Sequence, residues 1–363
     1  MPFNAFSDIS ITGSLTIVPE YKRSIEQETE LYGGNKKLIE RLKKTLGLNE
    51  RRIVQNSETA YDLCSEAVSR LIKENKIDVN EIGVIIFVTQ TADHSQPGNA
   101  LKIHGKFRFP TSCAAFDVNL GCSGFVYSLW LAFSLVSGSA SSKVLVLAGD
   151  TLSRLVNPKD RSVAALFGDA GSATIVEEKK GVGNSYFSLG SNGRGFNDLI
   201  VPAGGARLPI SNKTKKEFVD EEGNIRTKEN LYMNGSEVFN FSIEVIPREI
   251  ESLLNYARCK ISEVDYFVLH QANRYMVQNI CKRMNCDLDK FPVKSFEAFG
   301  NLSSVSIPGA MAYQMKEVLS SKTKQRVILS GFGVGLSWAS CLLNLGKMDF
   351  LKWEEYLPLN KKA

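Results

Sequence analysis

The chain reads as one α/β unit written twice, and that duplication limits the fold more than any other feature. VIIFVTQTAD at 84–93 has a counterpart in YFVLHQANRY at 266–275. AFDVNLGCSGFVYSLWLA at 115–132 parallels SFEAFGNLSSVSIPGAMA at 295–312, and KVLVLAGDT at 143–151 parallels QRVILSGFG at 325–333. The members come in the same order with similar gaps. Two unrelated α/β segments of like strand composition would give a weaker version of the same pattern. The apolar runs at 84–88, 144–147, 266–269 and 327–329 predict strands buried on both faces, because such strands read as continuous apolar stretches. After Ser57, a candidate N-cap, apolar residues at Ala60, Leu63, Cys64, Ala67, Leu71 and Ile72 follow a helical period. Strands alternating with helices imply a layered α/β fold.

The repeat places a boundary near 178–185, giving an N-terminal half at 1–180 and a C-terminal half at 181–347. Residues 203–232 (AGGARLPISNKTKKEFVDEEGNIRTKENLY) are polar and lack apolar periodicity, so they read as a surface insertion or lid-like loop. Residues 348–363 read as a short appendage.

Composition narrows the function class. A formal charge of +5 on 363 residues is too weak to argue for nucleic acid, and no nucleic-acid-binding motif is present. No apolar run approaches the roughly 20 residues of a membrane span. The N-terminus MPFNAFSDIS lacks a basic region followed by an apolar stretch. The seven cysteines form neither CxxC pairs nor a disulfide framework, which fits reduced thiols in a cytoplasmic setting. The three scattered histidines show no metal-ligand spacing, and no metal site is expected.

Three residues carry candidate chemistry. Cys122, in N-L-G-C-S-G-F, sits between an apolar approach and a helical run. A cysteine at a helix start meets unpaired N–H groups that favour the thiolate and lower its pKa. A free cysteine is more commonly a buried structural residue, and the other six read that way. His270 ends the strand YFVL, at the strand end where sites gather in α/β sheets; a histidine satisfied by backbone groups is the plainer reading. Asn301, in F-G-N-L-S-S, falls by the repeat within about a residue of the station of Cys122, although an Asn after Gly is most often a turn residue. The turn S-G-F-G-V-G-L-S-W lacks GxGxxG spacing, so backbone donors for an oxyanion suit it better than a phosphate loop.

Taken together, D-V-N-L-G-C-S-G-F, L-F-G-D-A-G-S-A, H-Q-A-N-R, F-G-N-L-S-S-V-S-I-P and G-F-G-V-G-L-S-W, in this order over roughly residues 8–345, resemble the β-ketoacyl-acyl-carrier-protein synthase III family of the thiolase superfamily. The resemblance implies a five-layered αβαβα thiolase-like fold of two duplicated halves and a homodimer. It implies that an acyl group passes from acyl-CoA or an acyl carrier to Cys122. Malonyl-acyl-carrier protein then loses carbon dioxide, and its carbanion attacks the acyl-cysteine to give a 3-oxoacyl product, with acyl-CoA and the malonyl carrier as substrates and no separate cofactor. His270 and Asn301 would hold the enolate oxygen, the backbone N–H groups of Cys122 and Val334 would form the oxyanion hole, and Phe332 and Gly333 would line the pocket. Arg161 matches an arginine that packs against the CoA adenine.

Several positions depart from the family's pattern. The stretch NKKLIERLKKTLGLNERRI lacks the usual adenine-binding Trp. Tyr275, preceded by Arg274, occupies a carrier-docking basic position, and Asn240 stands where a lysine is common. Gln96 replaces an aromatic that lines the partner subunit's primer pocket, and Val334 replaces a glycine. An atypical acyl donor in a specialised pathway follows from these changes. Two other chemistries fit the same trio: acyl transfer from Cys122 to a non-malonyl nucleophile, and a Cys–His–Asn hydrolase. A non-catalytic thioester-binding protein would not need all three polar residues.

Overall fold

The computed structural model describes residues 2–55 and 57–357. Eleven strands build two large sheets: β1 (Phe3–Ser7), β2 (Ile9–Pro19), β3 (Val84–Val88), β4 (Ala114–Val118), β5 (Lys143–Asp150), β6 (Ala170–Glu178), β7 (Asn184–Ser191), β8 (Tyr266–Leu269), β9 (Gln325–Gly333), β10 (Ser337–Leu345) and β11 (Phe350–Tyr356). One sheet runs β11-β2-β6-β5-β3-β4 and the other β1-β7-β10-β9-β8. In the first, β5 pairs parallel with β3 and antiparallel with β6; in the second, β9 pairs parallel with β8 and antiparallel with β10.

The four apolar runs are strands for the reason their composition suggested. Along β3, Val84, Ile86 and Val88 enter one core while Ile85 and Phe87 enter another; β9 does the same with Val327 and Leu329 against Ile328. Side chains alternate across a strand, so a strand with helices on both faces must be apolar throughout. Helices α4 (Gly124–Ser137) and α8 (Ser306–Gln314) lie between the sheets and touch both. Helices α2 (Ala60–Lys73) and α3 (Asn99–Lys106) cover the outer face of the first sheet, and α5 (Gly235–Tyr256), with α6 (Arg274–Arg283) against it, covers the second. The result is five layers, helix–sheet–helix–sheet–helix. Helix α2 begins two residues later than the sequence suggested: Thr59 is its N-cap, with its backbone N–H held at 2.9 Å by Asp62.

Three features lie outside the simple two-half reading. The first strand belongs to the C-terminal sheet, where β1 pairs with β7. The 348–363 stretch is more than an appendage, since β11 pairs parallel with β2 and closes the edge of the N-terminal sheet; residues 358–363 lie outside the described residues. The repeat also breaks at its middle member. AAFDV forms β4, while the matching SFEAF forms the short helix α7 (Ser295–Phe299).

The 203–232 insertion is an ordered excursion. It contains a two-stranded pairing of Phe218–Val219 with Ile225–Arg226. Arg226 is buried and ion-pairs with Asp220 and, at 3.4 Å, with the fully buried Asp160, which anchors the excursion to the 157–161 loop.

Candidate active site

Cys122 lies in the turn between β4 and α4, two residues before the helix starts. The turn closes with Gly124 N–H donating to the Gly121 carbonyl at 2.7 Å. Strand β9 from the other half presses against it. A Cβ at Gly331 would sit 2.6 Å from the Cys122 carbonyl oxygen, and one at Gly333 would sit 2.9 Å from the Cys122 sulfur. Only glycine permits this approach, which explains the S-G-F-G spacing.

His270 follows the last residue of β8, and its backbone N–H donates to Ser330 on β9 at 2.8 Å. The ring meets Phe332 edge-on, with centroids 5.6 Å apart and planes at 89°. Asn301 follows α7 through Gly300, whose φ of +78° favours glycine. The N-terminal half clamps it there. Asn301 N–H donates to Leu166 at 2.9 Å, and Gly168 N–H donates to the Asn301 carbonyl at 3.1 Å. A Cβ at Gly168 would lie 1.9 Å from the Phe299 carbonyl, so the L-F-G-D-A-G motif is a close-packed clamp.

The three side chains meet in one cavity of 370 Å³, which Cys122, His270, Asn301, Phe332 and Gly333 line together. Its approach is apolar, with Leu46, Met233, Met276 and the stacked pair Phe239–Tyr275, whose ring centroids are 5.6 Å apart. Cys122, His270 and Asn301 are all buried.

Burial governs the electrostatics. It pushes the Cys122 thiol up to about 12, against opposing pulls from the Ser303 hydroxyl and from the backbone N–H groups of Cys122 and Val334. The lowered pKa expected from the helix start is therefore reversed, because desolvation of a thiolate outweighs a few nearby donors. Burial also pushes His270 down to about 3, against a smaller opposing pull from the Ser303 backbone. The imidazole is neutral at neutral pH and can offer one N–H. Asn301 Oδ1 accepts the Ser303 N–H at 2.9 Å, which leaves its NH₂ group for the cavity. A neutral imidazole N–H and an amide NH₂ beside a thiol make a buried site with donors for a developing oxyanion.

The other candidates lie elsewhere. Arg161 is exposed and donates to the Glu222 carbonyl of the insertion. Arg274 pairs with Glu297 and donates to the Lys43 carbonyl at 3.0 Å, tying α6 to the C-terminal turn of α1 (Lys36–Leu46). Asn240 is exposed on α5, and Gln96 is exposed on the loop before α3; neither lines the cavity. Sequence reasoning missed Ser303, whose hydroxyl is 3.7 Å from the Cys122 sulfur. It also missed Gln90, which donates to that hydroxyl at 2.7 Å, and the buried Asp150 behind it. The only signal was position, in S-S after Asn301 and at the ends of two predicted strands.

Comparisons with known proteins agree with this geometry. Residues 116–193 match the family model of 3-oxoacyl-[acyl-carrier-protein (ACP)] synthase III, and residues 254–345 match its C-terminal model. A putative 3-oxoacyl-[acyl-carrier-protein] synthase 3 of Campylobacter jejuni is 34% identical over 93% of this chain and 94% of its own length. The β-ketoacyl-[acyl-carrier-protein] synthase III of Clostridioides difficile is 36% identical over 82% of this chain and 87% of its own. The crystal structure of a 3-oxoacyl-(acyl-carrier protein) synthase from Burkholderia xenovorans superposes with a TM-score of 0.90 at 32% identity, covering 98% of this chain and 99% of that one. With one thiol, one imidazole and one carboxamide at the meeting of two duplicated halves, and with these relatives matched over more than four fifths of each chain, the chain belongs to the 3-oxoacyl-[acyl-carrier-protein] synthase III family.

Proposed function

We propose that this enzyme is a condensing acyltransferase that carries an acyl group on Cys122 and joins it to a malonyl thioester. In the first half-reaction the Cys122 sulfur attacks the acyl thioester carbonyl. The C–S bond to the donor breaks, and the thiol proton leaves with the donor thiolate. In the second, the malonyl carboxylate departs as carbon dioxide. The electron pair of the broken C–C bond becomes an enolate, whose oxygen accepts hydrogen bonds from His270 and Asn301. The enolate carbon attacks the acyl-cysteine, the C–S bond breaks with its electron pair left on the Cys122 sulfur, and the 3-oxoacyl thioester leaves; the thiolate takes a proton from solvent to restore the thiol. The N–H groups of Cys122 and Val334 face the sulfur and suit the oxyanion of each tetrahedral intermediate. These steps use side chains and backbone donors alone.

The observation that carries this reading is the shared buried cavity of Cys122, His270 and Asn301. A Cys–His–Asn hydrolase would need the imidazole hydrogen-bonded to the thiol as its base. Among the described residues, the sulfur's side-chain hydrogen bond goes to Ser303, and His270 is held at a value too low for a base at neutral pH. Intact-mass measurement tests the proposal: wild type gains an acyl mass from acyl-CoA or an acyl carrier and loses it on addition of malonyl carrier. Label on a cysteine other than Cys122 overturns the assignment.

The acyl donor arrives on CoA or a carrier protein, and its pantetheine arm would pass Leu46, Phe239 and Tyr275. We further propose a homodimer joined through β4. This strand lies at the sheet edge with Phe116 38% exposed, and Leu101 beside it is 51% exposed. An edge strand carrying large apolar residues needs a cover. Gln96 would then face the partner. A cytoplasmic setting accords with seven free cysteines and with the absence, among the described residues, of any helix long and apolar enough to cross a membrane.

A further inference from the structure

Ser303 stands where the three site residues converge. It is buried and holds a φ of +50°. That conformation is uncommon for a non-glycine residue and persists where the surroundings impose it. Its three polar groups have three different partners. The N–H donates to Asn301 Oδ1 at 2.9 Å. The carbonyl accepts the Ser306 N–H and lies toward the His270 ring. The hydroxyl lies 3.7 Å from the Cys122 sulfur.

What stands behind that last contact bears on its direction. Gln90 Nε2 donates to Ser303 Oγ at 2.7 Å and leans toward Asp150 Oδ2 at 3.4 Å. A carboxylate only accepts, so the amide must turn its NH₂ toward Asp150 and Ser303. With an oxygen lone pair occupied by Gln90, the Ser303 proton has two acceptors in reach, the Asp150 carboxylate and the sulfur, and the sulfur draws it when it is charged. Asp150 is fully buried and further fixed by the Gln90 N–H at 2.8 Å, the Ser304 N–H at 3.1 Å and the Ser304 hydroxyl at 2.7 Å. The condensation described above uses none of these groups.

We propose that the Ser303 hydroxyl is a further catalytic group, donating a hydrogen bond to the Cys122 sulfur whenever it carries negative charge, and that Gln90 and Asp150 are positioning residues that aim it. The assignment rests on Cys122 being the nucleophile. Sulfur bears charge twice in the cycle, as it attacks the donor thioester and as it leaves the product. In a buried site each event needs a donor in place of water. The proton stays on Ser303 throughout, so no atom is transferred.

The test is the pH dependence of Cys122 alkylation by iodoacetamide in the full chain. Peptide mass spectrometry follows the site, and Cys122→Ala serves as the blank. Ser303→Ala removes the hydroxyl and keeps the backbone contacts; Ser303→Gly also relieves the positive φ and covers the case in which the alanine variant folds poorly. Both should move the pH–rate profile upward by about one unit, a roughly tenfold slower reaction at a given pH, as loss of a hydrogen bond to a charged group predicts. Gln90→Met should move it the same way by less. A profile unmoved in both Ser303 variants overturns the proposal. Because alkylation needs no natural substrate, a wild type that alkylates at Cys122 yet accepts no acyl group would sink the acyltransferase reading while leaving this assignment standing.

Discussion

In the N-terminal half, strand β4 runs to the centre of the molecule and delivers Cys122 just before α4. In the C-terminal half the corresponding station is reached by a short helix, α7, and the left-handed Gly300, which deliver Asn301 just before α8. The sheets otherwise match strand for strand, β2-β6-β5-β3 against β7-β10-β9-β8. Duplication supplied the scaffold twice, and divergence at one connection gave each copy a different reagent: a nucleophile on one side, neutral hydrogen-bond donors on the other. Each reagent is also held by the opposite half. Glycines of β9 press on Cys122, and residues 166–168 clamp Asn301.

The sharpest way to break this division of labour is to separate the half-reactions. Cys122→Ala should abolish the acyl adduct entirely. Asn301→Ala should still form it at near wild-type rate, while malonyl decarboxylation falls about 10²–10³-fold, the usual cost of one oxyanion donor. Intact mass reads the first and carbon dioxide release the second; equal loss of both half-reactions in Asn301→Ala would end the comparison. Next comes the mutual clamp. Gly331→Ala puts a methyl 2.6 Å from the Cys122 carbonyl and 2.9 Å from the Ser123 Cα, so backbone must shift. A loss of about 3 kcal/mol in urea unfolding is expected, with slowed acylation, although Gly331 lies in the half without the nucleophile.

The neutral donor gives a third test. His270 is held near 3 against an ordinary 6.5, so as pH falls the unfolded chain takes this proton first. Stability is then lost progressively from about pH 6.5 down toward pH 3, by ~1.4 kcal/mol per pH unit and about 2 kcal/mol by pH 5. The difference in unfolding free energy between wild type and His270→Gln should shrink over that window; a constant difference would mean the imidazole titrates in the fold as it does in the unfolded chain. The smallest effect concerns the sheet edge. A Cβ at Gly13 would meet the Phe350 ring of β11 at 2.2 Å, so Gly13→Ala should displace that ring and cost ~1 kcal/mol by thermal melt, with acylation intact.

Much of this was legible in the chain itself. Strands buried on both faces cannot hide their apolar runs, and a cysteine and an asparagine at matched stations of a repeat, with a histidine at a strand end, point to one centre. What stayed hidden depended on context. AAFDV and SFEAF look alike on paper, yet only the first pairs with a neighbouring strand, β3. FLKWEEY read as a tail because alternating charge on an edge strand resembles solvent-exposed coil. Helix-start reasoning favoured a thiolate at Cys122, but enclosure decides that balance and is not visible in a linear motif. Ser303 and Gln90 are 213 residues apart, and serines are too common to stand out.

The exchange of outer strands has a consequence for how the chain acquires its shape. The earliest strand completes the later sheet, and the latest strand completes the earlier one. A ribosome releasing this polypeptide therefore presents an N-terminal sheet with an open border until the residues past 350 emerge. Long sequence separation of this kind slows assembly and exposes sticky edges meanwhile. Fragments cut near residue 180 should each lack a border strand and hold together only when mixed.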